Sequence, residues 1–120
     1  MRILILEDDI NRIELFKSKL SMHELTFCTR AMEAVNLVTN VKYDLMFLDH
    51  DLEGKPYEDS DYENTGYQVA KMIPATLNKD TRIIIHSMNP VGAENMKCII
   101  GSSAERIPFS WLKWEDDNEN

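Results

Sequence analysis

The chain has 120 residues, 43% of them hydrophobic and 28% charged. That size and mixture suit one globular domain able to bury a core, and they exclude a disordered chain. No apolar run approaches the roughly 20 residues that a membrane helix needs, and the net charge of −8 opposes a broad nucleic-acid surface.

The elements alternate strand and helix. Ile3–Leu6 is a short apolar run that Glu7-Asp8-Asp9 closes, too short for a signal peptide and suited to a buried strand, so a cytoplasmic protein is expected. Ile10, Ile13, Leu15, Phe16 and Leu20 recur at helical spacing. Leu25–Cys28 predicts a second strand, Ala31 to Val38 a second helix, and Tyr43–Leu48 a third strand, again closed by acids. Residues 49–65 hold Gly54, Pro56 and many polar groups, which is loop chemistry. A helix follows over Gly66–Leu77, weakened at Pro74, then a fourth strand over Arg82–His86. Val91–Ile100 predicts a helix started by Pro90, Glu105–Pro108 a fifth strand, and Phe109–Trp114 a short last helix. Met22, Met32, Met46, Met72, Met88 and Met96 are expected in or near the core, and Cys28 and Cys98 are expected as free thiols.

Five such units imply an α/β fold of three layers, with helices on both faces of a doubly wound parallel sheet. At this length the flavodoxin-like strand order 2-1-3-4-5 is expected over residues 1–114, leaving 115–120 as an acidic tail. Ligands bind such sheets outside the carboxyl ends of the strands, beside strands 1 and 3. Glu7, Asp8 and Asp9 follow strand 1, Asp49 and Asp51 follow strand 3, and His86-Ser87 ends strand 4. Carboxylates gathered at one point repel one another unless a cation intervenes, and a hard ion that keeps its waters suits oxygen ligands and phosphate.

In order along the chain, Ile3-Leu4-Ile5-Leu6-Glu7-Asp8-Asp9 with Arg12, Asp44-Leu45-Met46-Phe47-Leu48-Asp49, Ile83-Ile84-Ile85-His86-Ser87 and Ile107-Pro108-Phe109 resemble the receiver domains of response regulators. The resemblance implies a Mg²⁺ (or Mn²⁺) held by Glu7, Asp8 and Asp49, phosphorylation of Asp49, and a hydrogen bond from Ser87 to the phosphoryl group. Ile107 falls where that family carries a lysine, and the loop over about residues 55–65 reads as an insertion. Leu48-Asp49-His50-Asp51-Leu52, Asn64-Thr65-Gly66 and Ile85-His86-Ser87-Met88-Asn89-Pro90 resemble a divergent branch, the cyclic-phosphate-processing receiver-like domains. That likeness implies a metal-dependent phosphoesterase for a cyclic phosphate or cyclic nucleotide. The alternative is a receiver phosphorylated on Asp49, or a degenerate receiver that binds a protein partner or nucleotide without catalysis.

Under the enzymatic reading, Asp49, His50, Asp51, His86 and Ser87 are the catalytic candidates, with Ser87 and Asn89 on phosphate oxygens. Asp49 is a metal ligand or a nucleophile, and the histidines are acid–base groups. Strand alternation predicts a second arrangement, in which His50 and His86 turn away from the pocket and pair beneath it. Tyr57, Tyr62 and Thr65 are candidates for a lid over a small phosphorylated ligand.

Overall fold

The computed structural model describes residues 1–114, and the expected acidic tail lies outside the described residues. Five parallel strands form one sheet in the order β2-β1-β3-β4-β5. They are β1 (Arg2–Leu6), β2 (Glu24–Cys28), β3 (Leu45–Leu48), β4 (Arg82–Ile85) and β5 (Ala104–Arg106). The helices are α1 (Ile10–Lys19), α2 (Ala31–Asn40), α3 (Gly66–Met72) and α4 (Pro90–Ile100). The flavodoxin-like doubly wound fold is therefore present.

The pleat divides the core. Leu4, Leu6, Met46, Leu48, Ile83 and Ile85 face one way and pack with residues of α2, α3 and α4. Ile3, Ile5, Leu45, Phe47 and Ile84 face the other way and pack with Phe16 of α1 and Trp114. Both faces of β1 and β3 are buried, which explains why their sequences are continuous apolar runs without alternation.

Local chemistry sets the helix starts near the site. Asp9 caps α1 by accepting from the Asn11 and Arg12 amides at 2.8 and 3.1 Å. Asn89 caps α4 by accepting from Gly92 N at 3.0 Å, with Pro90 in the first turn. Arg30, at the start of α2, makes no side-chain cap. Asn64, 33 residues away, caps that helix instead by accepting the Ala31 amide at 2.9 Å.

Several element bounds differ from expectation. Helix α3 stops at Met72 because Pro74 belongs to a tighter 3₁₀ turn, Ile73–Ala75. The last helix is only a 3₁₀ turn, Phe109–Trp111, and β5 is Ala104–Arg106 in place of Glu105–Pro108. Met46 and Met96 are core residues, but Met22, Met32, Met72 and Met88 are exposed, because their places in the helical and loop pattern face outward. Cys28 and Cys98 are free, and burial pushes the Cys28 thiol up to about 11. Among the described residues, no helix is long and apolar enough to cross a membrane.

Candidate functional site: an acidic cavity at the carboxyl ends of β1, β3 and β4

A cavity of about 430 Å³ opens where the strands end, lined by Glu7, Asp8, Asp9, Arg12, Asp49, Asp51, Gly54, Lys55, Pro56, Ser87 and Met88. Each acid reaches it because a buried strand has just ended. Glu7 N bonds to Cys28 O at 2.9 Å and Asp49 N to Leu6 O at 3.1 Å, so the sheet ladder holds both backbones at the rim.

Glu7 is fully buried, and hydrogen bonds occupy both of its oxygens. Oε2 accepts the amides of Asp8 and Asp9 at 3.1 and 3.0 Å, and Oε1 meets His86 Nε2 at 2.9 Å. Burial works to raise this carboxyl, but the hydrogen bond and charge of His86, the Asp9 amide and Arg12 together hold it below its ordinary value. His86 Nδ1 is buried without a hydrogen-bond partner. Nε2 faces a carboxylate oxygen that can only accept, so Nε2 donates to Glu7.

Asp49 differs. It is 4% exposed, and its Oδ1 accepts from His50 N at 2.8 Å. Burial pushes its carboxyl up to about 7, with the Glu7 charge adding to the rise and His86, the His50 amide and Arg12 opposing it. Asp8 is half-buried on the rim, and desolvation and then the Glu7 charge raise it too. Two carboxyls raised above their ordinary value face one cavity.

Arg12 Nη1 stands 3.7 Å from Glu7 Oε1 and 3.8 Å from Asp49 Oδ2, and its guanidinium lies over the Phe109 ring at 4.9 Å. The sequence reading gave Arg12 no role in the site. Its place in the first turn of α1, three residues after the acidic run ends, is the signal that could have found it. Ser87 lines the cavity, and its Oγ accepts the Asn89 amide at 3.0 Å, leaving the hydroxyl proton to donate. The Arg106 guanidinium grips the Ser87 carbonyl at 3.1 Å.

The remaining candidates form a separate polar node. His50 is fully buried against α4, where a Cβ at Gly92 would come within 2.5 Å of its ring. Its Nδ1 meets Asp51 Oδ1 at 2.7 Å and its Nε2 meets Ser60 Oγ at 2.9 Å. Asp51 also accepts from Tyr57 N, Glu58 N and Asn89 Nδ2 at 2.9, 3.2 and 3.2 Å. These bonds tie the 53–65 segment down, and Asp51 and Thr65 form a lone antiparallel bridge. Gly66 brings α3 against the Asp49 carbonyl so closely that any Cβ there would collide with it.

The two histidines do not pair. His50 lies under α4, whereas His86 packs edge-on among Phe16 and Phe109 on the opposite face of the sheet. Neither lines the cavity, and neither does Asn89, whose amide is spent on Asp51 and the Glu58 carbonyl. Of the expected lid residues, Tyr62 donates to Glu53 at 2.9 Å and Thr65 is buried with its hydroxyl on Tyr62 O, so both brace the segment itself. Tyr57 is 74% exposed.

A family model for the cyclic-phosphate processing receiver domain matches residues 3–102. The chain belongs to that family. No curated protein matches the sequence. Among solved structures, the receiver domain of a sensor histidine kinase from Pseudomonas aeruginosa PAO1, with magnesium coordinated in its active-site cleft, is similar at TM-score 0.71 and 19% identity, covering 98% of this chain and 90% of that one. The receiver-like protein of Methanospirillum hungatei gives TM-score 0.71 at 20% identity, over 98% and 87%. TrrA of Thermotoga maritima, in complex with Mg²⁺-BeF, gives 0.66 at 23%, over 98% and 90%. These three likenesses concern the fold.

The donor set fits a hard divalent ion. One ligand atom each from Glu7, Asp49 and His86 lies within 4.8 Å of the others. Burial and the Glu7 charge raise the carboxyls of Asp8 and Asp49, whereas both oxygens of Glu7 already have hydrogen-bond donors. Oxygen-rich ligation of this kind suits Mg²⁺ or Mn²⁺.

Proposed function

We propose that this receiver-family chain is a divalent-metal-dependent phosphoesterase that opens a cyclic phosphate. The observation that supports the reading best is the pair Asp8 and Asp49, held partly or wholly out of water at the rim of a cavity, with their carboxyls raised by burial and by the Glu7 charge. Asp8 and Asp49 would hold Mg²⁺ or Mn²⁺, with Glu7 beside them, in keeping with the magnesium of the kinase receiver domain. A bound ion would neutralise these acids and polarise a phosphoryl oxygen.

This chain's own residues divide the remaining work. Ser87 Oγ keeps a proton to give to a phosphoryl oxygen, because its lone pair takes the Asn89 amide. His86 is a positioning residue, holding Glu7 Oε1 at 2.9 Å. His50 and Asn89 position the 53–65 segment beside the cavity through Asp51, which itself lines the cavity wall. In the reaction a water oxygen forms one bond to phosphorus, one ester P–O bond breaks, and the water's proton passes to the departing oxygen. The substrate class is a terminal or mononucleotide cyclic phosphate, small enough for a cavity of about 430 Å³.

A second reading also has an observation behind it. Asp49 and Ser87 share the cavity wall, the arrangement that a phosphoacceptor and its hydroxyl partner need. The deciding experiment is hydrolysis of five- and six-membered cyclic phosphates with Mn²⁺ or Mg²⁺, run beside incubation with acetyl phosphate. Metal-dependent turnover that falls at least about 100-fold in Asp49→Asn, with no stable adduct, supports the esterase. A lasting phosphoryl mass on Asp49 with no turnover of any cyclic phosphate overturns it in favour of the phosphoacceptor.

A further inference from the structure

We infer that Arg12 is the phosphate-recognising cation of the acidic cavity, a role that rests on the reading of this cavity as a phosphate site. The cavity is lined by four carboxylates besides the Asp9 cap, namely Glu7, Asp8, Asp49 and Asp51, and by two side-chain cations, Arg12 and Lys55. A phosphate entering that field meets repulsion that one divalent ion only partly offsets, so a second fixed positive charge is needed beside it. Lys55 is exposed on the loop. Arg12 is set in the wall.

Four observations make Arg12 the pre-organised group. Its backbone is pinned in the first turn of α1, where its amide donates to Asp9 at 3.1 Å. Its guanidinium carbon lies over the Phe109 ring at 4.9 Å, and that ring is itself held by Phe16 and Trp114, so the head group rests on a fixed support. Its nearest carboxylate oxygens, at 3.7 and 3.8 Å, lie beyond hydrogen-bond length. The side chain is attracted to the acids without giving them its N–H groups, and it stays 30% exposed toward the cavity. A planar fork of free donors beside a cation site suits bidentate capture of two phosphate oxygens.

The charge at the end of β5, Arg106, lies outside the cavity lining. Ile107 faces a different cleft with Leu45, Phe47 and Ile84, and the Arg106 guanidinium donates to the Ser87 carbonyl. Of the two cations that line the cavity, the one set in the wall therefore sits on α1.

The test uses opposite signs. Mg²⁺ alone, and inorganic phosphate in saturating Mg²⁺, are titrated calorimetrically into the wild type, Arg12→Gln, Arg12→Lys and Phe109→Leu. In Arg12→Gln, phosphate affinity falls by at least about tenfold, whereas Mg²⁺ binds as tightly or more tightly, because a cation beside its ligands has gone. Arg12→Lys and Phe109→Leu lose less, since one keeps the charge without the fork and the other keeps the fork without its stacking partner. Arg12→Gln that binds phosphate like the wild type overturns the inference and leaves the phosphoesterase reading standing. Parallel loss of Mg²⁺ and phosphate also overturns it, by showing a structural role. Arg12-dependent phosphate binding without hydrolysis of any cyclic phosphate supports the inference and sinks the esterase. A wild type that binds no phosphate defeats both.

Discussion

The acidic cavity and the polar node around His50 sit side by side at the end of one sheet, built from the same residue types, yet they are finished to different degrees. In the node, both nitrogens of His50 have partners, and Asp51 collects four donors from three stretches of chain. In the cavity, Asp49 has one amide on Oδ1 and a distant Arg12 on Oδ2, and burial drives its carboxyl toward neutrality. A satisfied buried polar network holds structure together, whereas an unsatisfied one is a cost retained for something that binds. On that contrast, His50 and Asp51 are proposed as scaffold and Asp8 and Asp49 as the groups that meet a ligand.

The largest effect that could break this division is His50→Ala. It removes a buried ring and strands the Asp51 and Ser60 partners, so urea denaturation should show a loss of about 3 kcal/mol. Mg²⁺-induced thermal stabilisation should survive in the folded fraction. A stability close to wild type with activity abolished would move His50 into the chemistry. Gly92→Ala attacks the same node from α4, since its methyl overlaps the His50 ring, and a loss of about 2 kcal/mol is expected in the same melts.

Asp49→Asn probes the cavity and should have the opposite sign. The folded-state carboxyl titrates at about 7 against an ordinary 3.8. The stability that Asp49 contributes is therefore fully present below 3.8 and is lost as pH rises through about 7. In EDTA near pH 8 the variant should be more stable than the wild type by about 1 to 2 kcal/mol, with the gain vanishing toward about pH 4. With saturating Mg²⁺ the order should reverse, because only the wild type gains the ligand's stabilisation. A loss in EDTA at every pH would place Asp49 among the structural residues.

The smallest effect concerns the loop. Tyr57 is held at φ 59°, a left-handed conformation that costs a side-chain-bearing residue. Tyr57→Gly should be neutral or stabilising by less than about 1 kcal/mol in thermal melts. A larger loss would mean that the exposed ring packs against something that the segment covers.

Much of the scaffold was legible in the chain itself. Continuous apolar runs at Ile3–Leu6, Leu45–Leu48 and Ile83–Ile85, each followed by polar residues, specify buried parallel strands, because strands covered on both faces have no polar side to show. The gathering of Glu7, Asp8, Asp49 and Ser87 at one end follows from the strands being parallel, while right-handed crossovers only narrow the possible strand orders. The caps at Asp9 and Asn89 are local chemistry of the same kind. The element ends were read less well, since a proline at 74 shortens α3 through competition between helix types that periodicity does not register.

The roles within the site needed the tertiary structure. Nothing in the order of residues says that Asp51, two positions from Asp49, is consumed by four donors, or that neighbouring strands carry His50 and His86 to opposite faces. Asn64 capping α2 across 33 residues, and Arg12 resting on Phe109 from the far end of the chain, are likewise invisible in sequence. Periodicity and local chemistry act over a few residues and so determine which groups reach the end of the sheet. Which of those groups remain unsatisfied, and are free to bind, depends on partners that only the folded chain brings within hydrogen-bond distance.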